Sequence, residues 1–243
     1  FYIYEENIIL SYDDVERDIA LIETTLDVSG SGMTAFGQDG ENLRVSGISE
    51  ASAVKSKFVS SYAVIEGIAK FNAGGKVGAT VISGGYSASL LFGNEGYSFG
   101  GKVYEYPAFA GNGNIAFRVI KHEEYVYLYI YDAADGEYRA VNSFKDSALS
   151  GNCAYGFASL SEDGNFNAEI KSVCVYADLK LIDECVYRNV TVERNAFGSV
   201  AITGVKDGRV GVNDVLTLSV RPYEGYLLDY VTLCGHELSP LSD

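Results

Sequence analysis

The sequence predicts an all-β protein: one large sandwich or barrel followed by a second, small β domain. Turn signals recur roughly every 8–12 residues, a spacing that belongs to sandwiches and barrels rather than to βαβ units. One stretch, Tyr125-Val126-Tyr127-Leu128-Tyr129-Ile130-Tyr131, alternates without a fault. Among the 243 residues are 19 Tyr, 12 Phe and 27 Gly but only 3 Pro and no Trp. Tyr and Phe favour strands and Gly serves turns. No helical periodicity longer than about three turns is evident.

In chain order, residues 1–10 (FYIYEENIIL) read as two short strands about a Glu-Glu-Asn turn, and 12–18 (YDDVERD) are acidic and polar. Residues 19–28 alternate imperfectly as a further strand, and 29–32 (SGSG) are a loop. Gln38 to Asn42 turn the chain into Leu43-Arg44-Val45, and Val54 to Val59 is a short strand. The Tyr62 to Phe71 strand puts Ala63, Ile65, Gly67, Ala69 and Phe71 on one face and Glu66 and Lys70 on the other. Strands follow at Val77–Ser83, Tyr86–Phe92 and Lys102–Tyr106, divided by Gly84-Gly85 and Asn94-Glu95-Gly96, with a loop at 110–114. Ile115–Lys121 pairs with the tyrosine strand through His122-Glu123-Glu124. The Asp135-Gly136 signal returns Tyr138–Val141 beside it. Asn152–Leu160 and Ala168–Ala177 make one more hairpin, and 178–186 read as a linker.

Alternate side chains of a strand point to opposite faces. Val126, Leu128 and Ile130 therefore face a core, and Tyr125, Tyr127, Tyr129 and Tyr131 form a row on the other side. That row is either wet or buried, and the alternation is the same in both cases.

Net charge is −15. This opposes nucleic-acid binding, which needs Lys and Arg to displace counterions, and opposes anionic membrane surfaces. No apolar run approaches the roughly 20 residues that cross a bilayer, so no membrane insertion is expected. The chain does not begin with Met and opens without a signal-peptide pattern, so it reads as a fragment of a larger multidomain protein. Cys153, Cys174, Cys185 and Cys234 allow three pairings, and spacing does not choose among them. Cys153 and Cys174 fall on two late strands that would suit one disulfide if neighbours; free buried thiols are the alternative. No C-x-x-C accompanies His122 or His236, which argues against zinc.

Residues 40–178 resemble the concanavalin A-like jelly roll of lectins, laminin-G-like modules and carbohydrate-binding modules. The residues that carry the likeness are Glu41-Asn42-Leu43-Arg44-Val45-Ser46-Gly47, the long Tyr62–Phe71 strand and Gly78-Ala79-Thr80-Val81. They continue with the Ile115–Lys121/Tyr125–Tyr131 pair, Gly156-Phe157-Ala158-Ser159, and Ile170 to Tyr176. The fold expected is thus a jelly-roll β-sandwich over 1–180, with a small β repeat domain at 187–243. The latter resembles a divergent bacterial surface repeat related to the internalin B-repeat. Here the likeness rests on Val190-Thr191-Val192, Gly198 to Gly204, Gly211 to Leu218, Pro222-Tyr223-Glu224-Gly225-Tyr226 and Val231 to Gly235. Leu216, Leu218 and Val220 would share its core face, and Gly225 would serve a tight turn. Residues 1–10 look like the closing hairpin of such a repeat, so 1–25 are read as the end of a preceding one.

Catalytic constellations are not found. Glycosidases on this fold carry closely spaced acids, two of them about 5–5.5 Å apart in retaining enzymes. Glu16-Arg17-Asp18 lacks a third acid, and Glu123-Glu124 sit in a turn where neighbours point apart. There is no G-x-S-x-G elbow, H-x-x-x-H or P-loop. The Asn189-Val190-Thr191 sequon is read as chance. Calcium is the one cofactor suggested, through Asp163, Asn165 and Asn167 alternating in a loop, with Asp132 and Asp135 in another; ordinary Asx-turn chemistry explains the same residues.

The expected function is a non-catalytic carbohydrate-binding or adhesion module of a secreted or cell-surface bacterial protein. Tyr104, Tyr106, Arg118, Tyr127 and Tyr129 would form its glycan groove, because a phenol offers a flat apolar body and a polar tip. The alternative is a structural or host-protein-binding stalk in which the same tyrosines stabilise a half-buried face through cross-strand pairs.

Overall fold

The computed structural model describes residues 26–27, 35–39, 42–46, 51–72, 74–106, 114–161, 166–191, 197–211, 214–233 and 236–238. The readings of residues 1–10 and 12–18, including Glu16 and Asp18, and of Cys234 lie outside these. The chain divides into two compact units, one up to Asp183 and one from Glu184.

The first unit is a β-sandwich. Its strands are β1 (Leu26–Asp27), β2 (Ala35–Asp39), β3 (Asn42–Ser46), β4 (Ala51–Ser60), β5 (Tyr62–Phe71), β6 (Gly75–Ser83) and β7 (Tyr86–Gly93). They continue with β8 (Gly96–Phe99), β9 (Lys102–Glu105), β10 (Ile115–His122), β11 (Tyr125–Asp132), β12 (Glu137–Lys145), β13 (Cys153–Ser161) and β14 (Asn167–Tyr176). Among the described residues these form two antiparallel seven-stranded sheets. One runs β1-β4-β13-β6-β7-β8-β9, the other β12-β11-β10-β5-β14-β3-β2.

The period-2 pattern sets which face is inside. From the second sheet, Ala63, Ile65 and Ala69 of β5, Phe117 and Val119 of β10, and Val126 and Leu128 of β11 are buried. They meet Val77, Ala79 and Val81 of β6, Phe92 of β7 and Tyr155 and Phe157 of β13. Ring contacts bridge the layers, among them Phe92 with Phe117, centroids 5.2 Å apart, and Phe99 with Phe144 at 4.7 Å, edge to face. Gly67 sits where a side chain would not fit, since an added Cβ would lie 2.7 Å from Ile170 Cγ2. The Tyr155 hydroxyl, fully buried, donates to the Ser60 carbonyl at 2.6 Å, and burial holds its pKa well above the usual phenol value.

Neither Cys153 nor Cys174 is in a disulfide, and they lie on β13 and β14, strands of different sheets. The suggested disulfide is not formed, and the alternative of buried thiols holds; β13 and β14, consecutive in sequence, are split between the layers and are not neighbours in one sheet.

Residues 178–186, read as a linker, hold the division between the two units but are helical. Leu179–Val186 form a helix, α1. Asp178 caps it, its Oδ1 accepting from Leu181 N–H at 2.9 Å. Leu179, Ile182 and Val186 recur at helical spacing, and Ile182 and Val186 are buried. Eight residues give too little period to stand out in the sequence.

The second unit contains three two-stranded antiparallel ladders among its described residues: β15 (Tyr187–Asn189) with β17 (Arg209–Gly211), β16 (Gly198–Thr203) with β18 (Thr217–Pro222), and β19 (Val231–Leu233) with β20 (His236–Leu238). Leu216, Leu218 and Val220 are half-buried between exposed neighbours. Gly225 takes a positive φ of 85° in the turn where Tyr226 N–H donates to the Tyr223 carbonyl. Phe197 and Tyr226 pack at 5.0 Å.

Candidate functional site

The register across β5, β10, β11 and β14 builds the outer face of the second sheet. Arg118 faces Glu66 on one neighbour and Tyr129 on the other, and Ile120 faces Val64 and Tyr127. Cys174 and Tyr176 of β14 stand opposite Glu66 and Val64, and Ala140 of β12 opposite Tyr129. Apolar and phenolic side chains therefore flank the Arg118–Glu66 ion pair.

Arg118 Nε donates to Glu66 Oε1 at 2.5 Å, with the side chains 17 % and 23 % exposed. The Arg118 guanidinium also lies 4.2 Å from the Tyr138 ring centroid, a cation–π stack. Tyr138 meets Tyr131 edge to face at 5.4 Å, and Tyr131 is 43 % exposed. Burial first, then the nearby Glu66 charge, push the Tyr176 pKa far up. Burial and Glu66 likewise raise that of Tyr138. Both phenols stay protonated at neutral pH and keep an O–H to donate.

Of the five residues expected to line a groove, the structure brings Arg118, Tyr127 and Tyr129 onto this face and leaves two elsewhere. Tyr127 and Tyr129 are each 3 % exposed, so they are not an open row of rings. At the far end of the face, α1 brings Asp183 close enough for its charge to act on His122, whose pKa is lowered chiefly by burial.

Tyr104 and Tyr106 belong to the edge of the other sheet. The Tyr104 ring stacks on Tyr97 at 5.1 Å and Tyr106 meets the same ring edge-on at 6.2 Å. Tyr97 is buried, and its hydroxyl accepts from Asn142 Nδ2 at 3.2 Å. The chain changes sheets between β9 and β10, which separates these rings from Tyr127 and Tyr129. The expected five-residue groove is therefore not assembled. Glu66, Tyr131, Tyr138 and Tyr176 are the residues sequence reasoning left out. Glu66 and Tyr131 had been placed on outward faces, but no spacing shows which of them meet.

For calcium, Asp163 and Asn165 lie outside the described residues. Asn167 heads β14, its N–H donating to Asn72 Oδ1 at 2.8 Å and its carbonyl accepting from Asn72 N–H at 3.1 Å. Asp132 Oδ1 accepts from Ala134 N–H at 2.9 Å, and Asp132 and Asp135 both pair with Arg139. Among the described residues, no three His, Cys, Asp or Glu side chains are grouped to hold a metal ion. No described helix is long and apolar enough to cross a membrane.

No protein-family model and no curated protein matches the chain. Among solved structures it is similar to arcelin-5, a lectin-like defense protein from Phaseolus vulgaris, at 11 % identity and a TM-score of 0.45, over 59 % of this chain and 91 % of that one. It is similar to the carbohydrate-binding module CBM66 from Bacillus subtilis at 15 % identity and a TM-score of 0.42, over 63 % and 94 %. A third similarity is to a xylan β-1,4-xylosidase from Bacillus halodurans, at 15 % identity and 0.44, over 58 % of this chain and 33 % of that enzyme. The resemblance of residues 187–243 to the internalin B-repeat has no support among these comparisons.

Proposed function

We propose that the sandwich is a non-catalytic glycan-binding module, and that its binding face is the outer face of the second sheet around Arg118, Glu66, Tyr131 and Tyr138. The observation that carries this reading is a partly exposed Arg–Glu pair stacked on one phenol and flanked by a second, exposed one. Sugars are held by an apolar ring face together with a few placed donors and acceptors, and this cluster supplies both kinds of group. Tyr127 and Tyr129 serve as the buried backing of that face instead of contacting ligand. A secreted or cell-surface setting goes with this reading.

The test is a glycan array with the intact chain, followed by titration of any sugar retained. Tyr131→Ala and Arg118→Ala should each weaken binding at least about tenfold, the equivalent of 1.4 kcal/mol, with circular dichroism unchanged. Binding that survives both substitutions places the site elsewhere and rejects the proposal.

A structural or protein-binding module without glycan affinity is the second reading. It is favoured by the burial of Tyr127 and Tyr129 and by Tyr223, Tyr226 and Tyr230 exposed in the small unit. Retention of no sugar on the array would support it.

A further inference from the structure

Lys121 occupies a position on β10 that the alternation assigns to the core, in line with Phe117 and Val119. It is 0 % exposed. A buried ammonium is costly unless it is paired. Here Nζ donates to the Ser61 carbonyl at 2.6 Å and to the Gly151 carbonyl at 2.8 Å. The Cys153 thiol, 1 % exposed, is directed at the same Gly151 oxygen at 3.7 Å and at the Leu149 carbonyl at 3.4 Å. Amine and thiol thus converge on one carbonyl from opposite sheets, β10 and β13.

A neutral amine has two N–H bonds and one lone pair. The two carbonyls take both N–H bonds, which leaves the lone pair for a third direction. Burial is the leading influence on Lys121 and lowers its pKa, with Cys153 and then Glu123 acting the other way. Desolvation therefore raises the share of the form that carries a lone pair.

We propose that Lys121 and Cys153 are an oxidative cross-linking site, at which a peroxide joins the two sheets through a covalent N–S bond. In the first step the Cys153 sulfur attacks the peroxide, whose O–O bond breaks. With hydrogen peroxide the products are Cys153 sulfenic acid and water: the sulfur loses two electrons and the peroxide gains them. In the second step the Lys121 lone pair attacks that sulfur and the S–O bond breaks. Hydroxide leaves with a proton from the amine as a second water. The product is a sulfenamide, Cys153–S–NH–Lys121, lighter than the starting chain by two hydrogens. No other partner is required, and a thiol reductant reverses the bond.

The experiment treats the full 243-residue chain with hydrogen peroxide and maps its peptides by mass spectrometry. The expected result is a joined peptide pair containing residues 121 and 153, short of two hydrogens and released by dithiothreitol. A thiol assay in denaturant should lose one thiol, and the unfolding midpoint should rise. Cys153→Ser, which changes little volume, should abolish the joined pair and the midpoint rise. Oxidation of Met33 adds oxygen to a separate peptide and is read apart. A Cys153 that stays a free thiol, or a product that retains oxygen on Cys153, overturns the proposal.

Discussion

Glu66 and Arg118 stand directly opposite each other on adjacent strands, joined at 2.5 Å on the outer face of the second sheet. Each is mostly shielded from water, so removing one leaves the other short of a partner. Hydrogen bonds between charged groups contribute about 1.5–3 kcal/mol. Glu66→Ala and Arg118→Ala should each lower stability by about that amount. The double variant should cost less than the sum of the two. Urea unfolding of the four proteins checks this, and strict additivity would show that the pair contributes nothing as a pair.

Gly67 lies between Ile170 and Phe117, with no room for a methyl group. Gly67→Ala should destabilise the sandwich by about 1–3 kcal/mol, the usual range for overpacking. Thermal melting is the measurement; an unchanged melting temperature would mean that Ile170 moves aside freely.

Tyr86, at the start of β7, donates its hydroxyl to Asp146 Oδ2 at 2.5 Å, linking the two sheets at the surface. This hydrogen bond, with one from Ala148 N–H, holds the Asp146 pKa below its ordinary 3.8. A depressed carboxyl contributes stability above its unfolded value that fades as pH falls through the folded one. For Tyr86 the hydrogen bond and burial raise the pKa above 10.0. Its contribution is complete below that value and is lost as pH rises through the folded one. Tyr86→Phe should flatten the stability profile at both ends, below about pH 4 and above about pH 10. Chemical unfolding from pH 2.5 to 11 tests it, and parallel profiles for the two proteins would contradict it.

Asp178 caps α1 through Leu181 N–H. Asp178→Ala should cost about 1 kcal/mol, and Asp178→Asn should restore most of it because the amide oxygen caps equally well. Loss of equal size in both variants would show that charge, not the cap, matters there.

The sequence was most legible where a strand is long and two-faced. Tyr62–Phe71 is β5 to the residue, and Val126 and Leu128 point inward as the alternation requires. Alternation shows which side of a strand is apolar, but not what lies over the opposite side. Tyr127 and Tyr129 could therefore be assigned a face and not an exposure. Nor does it show sheet membership, so Tyr104 and Tyr106 could be grouped with rings that lie in the other layer. The Glu66–Arg118 contact depends on register between strands about fifty residues apart, which no local pattern carries.

An inner position of each sheet is filled late in the chain: β13 lies between β4 and β6, and β14 between β5 and β3. During synthesis these earlier strands have unsatisfied edges until Tyr176 has emerged. Pairing across so many residues folds slowly, and open edges invite association with other chains. A nascent chain that stops before residue 153 should be held by chaperones or aggregate, whereas one that extends past the cap of α1 should close into the sandwich.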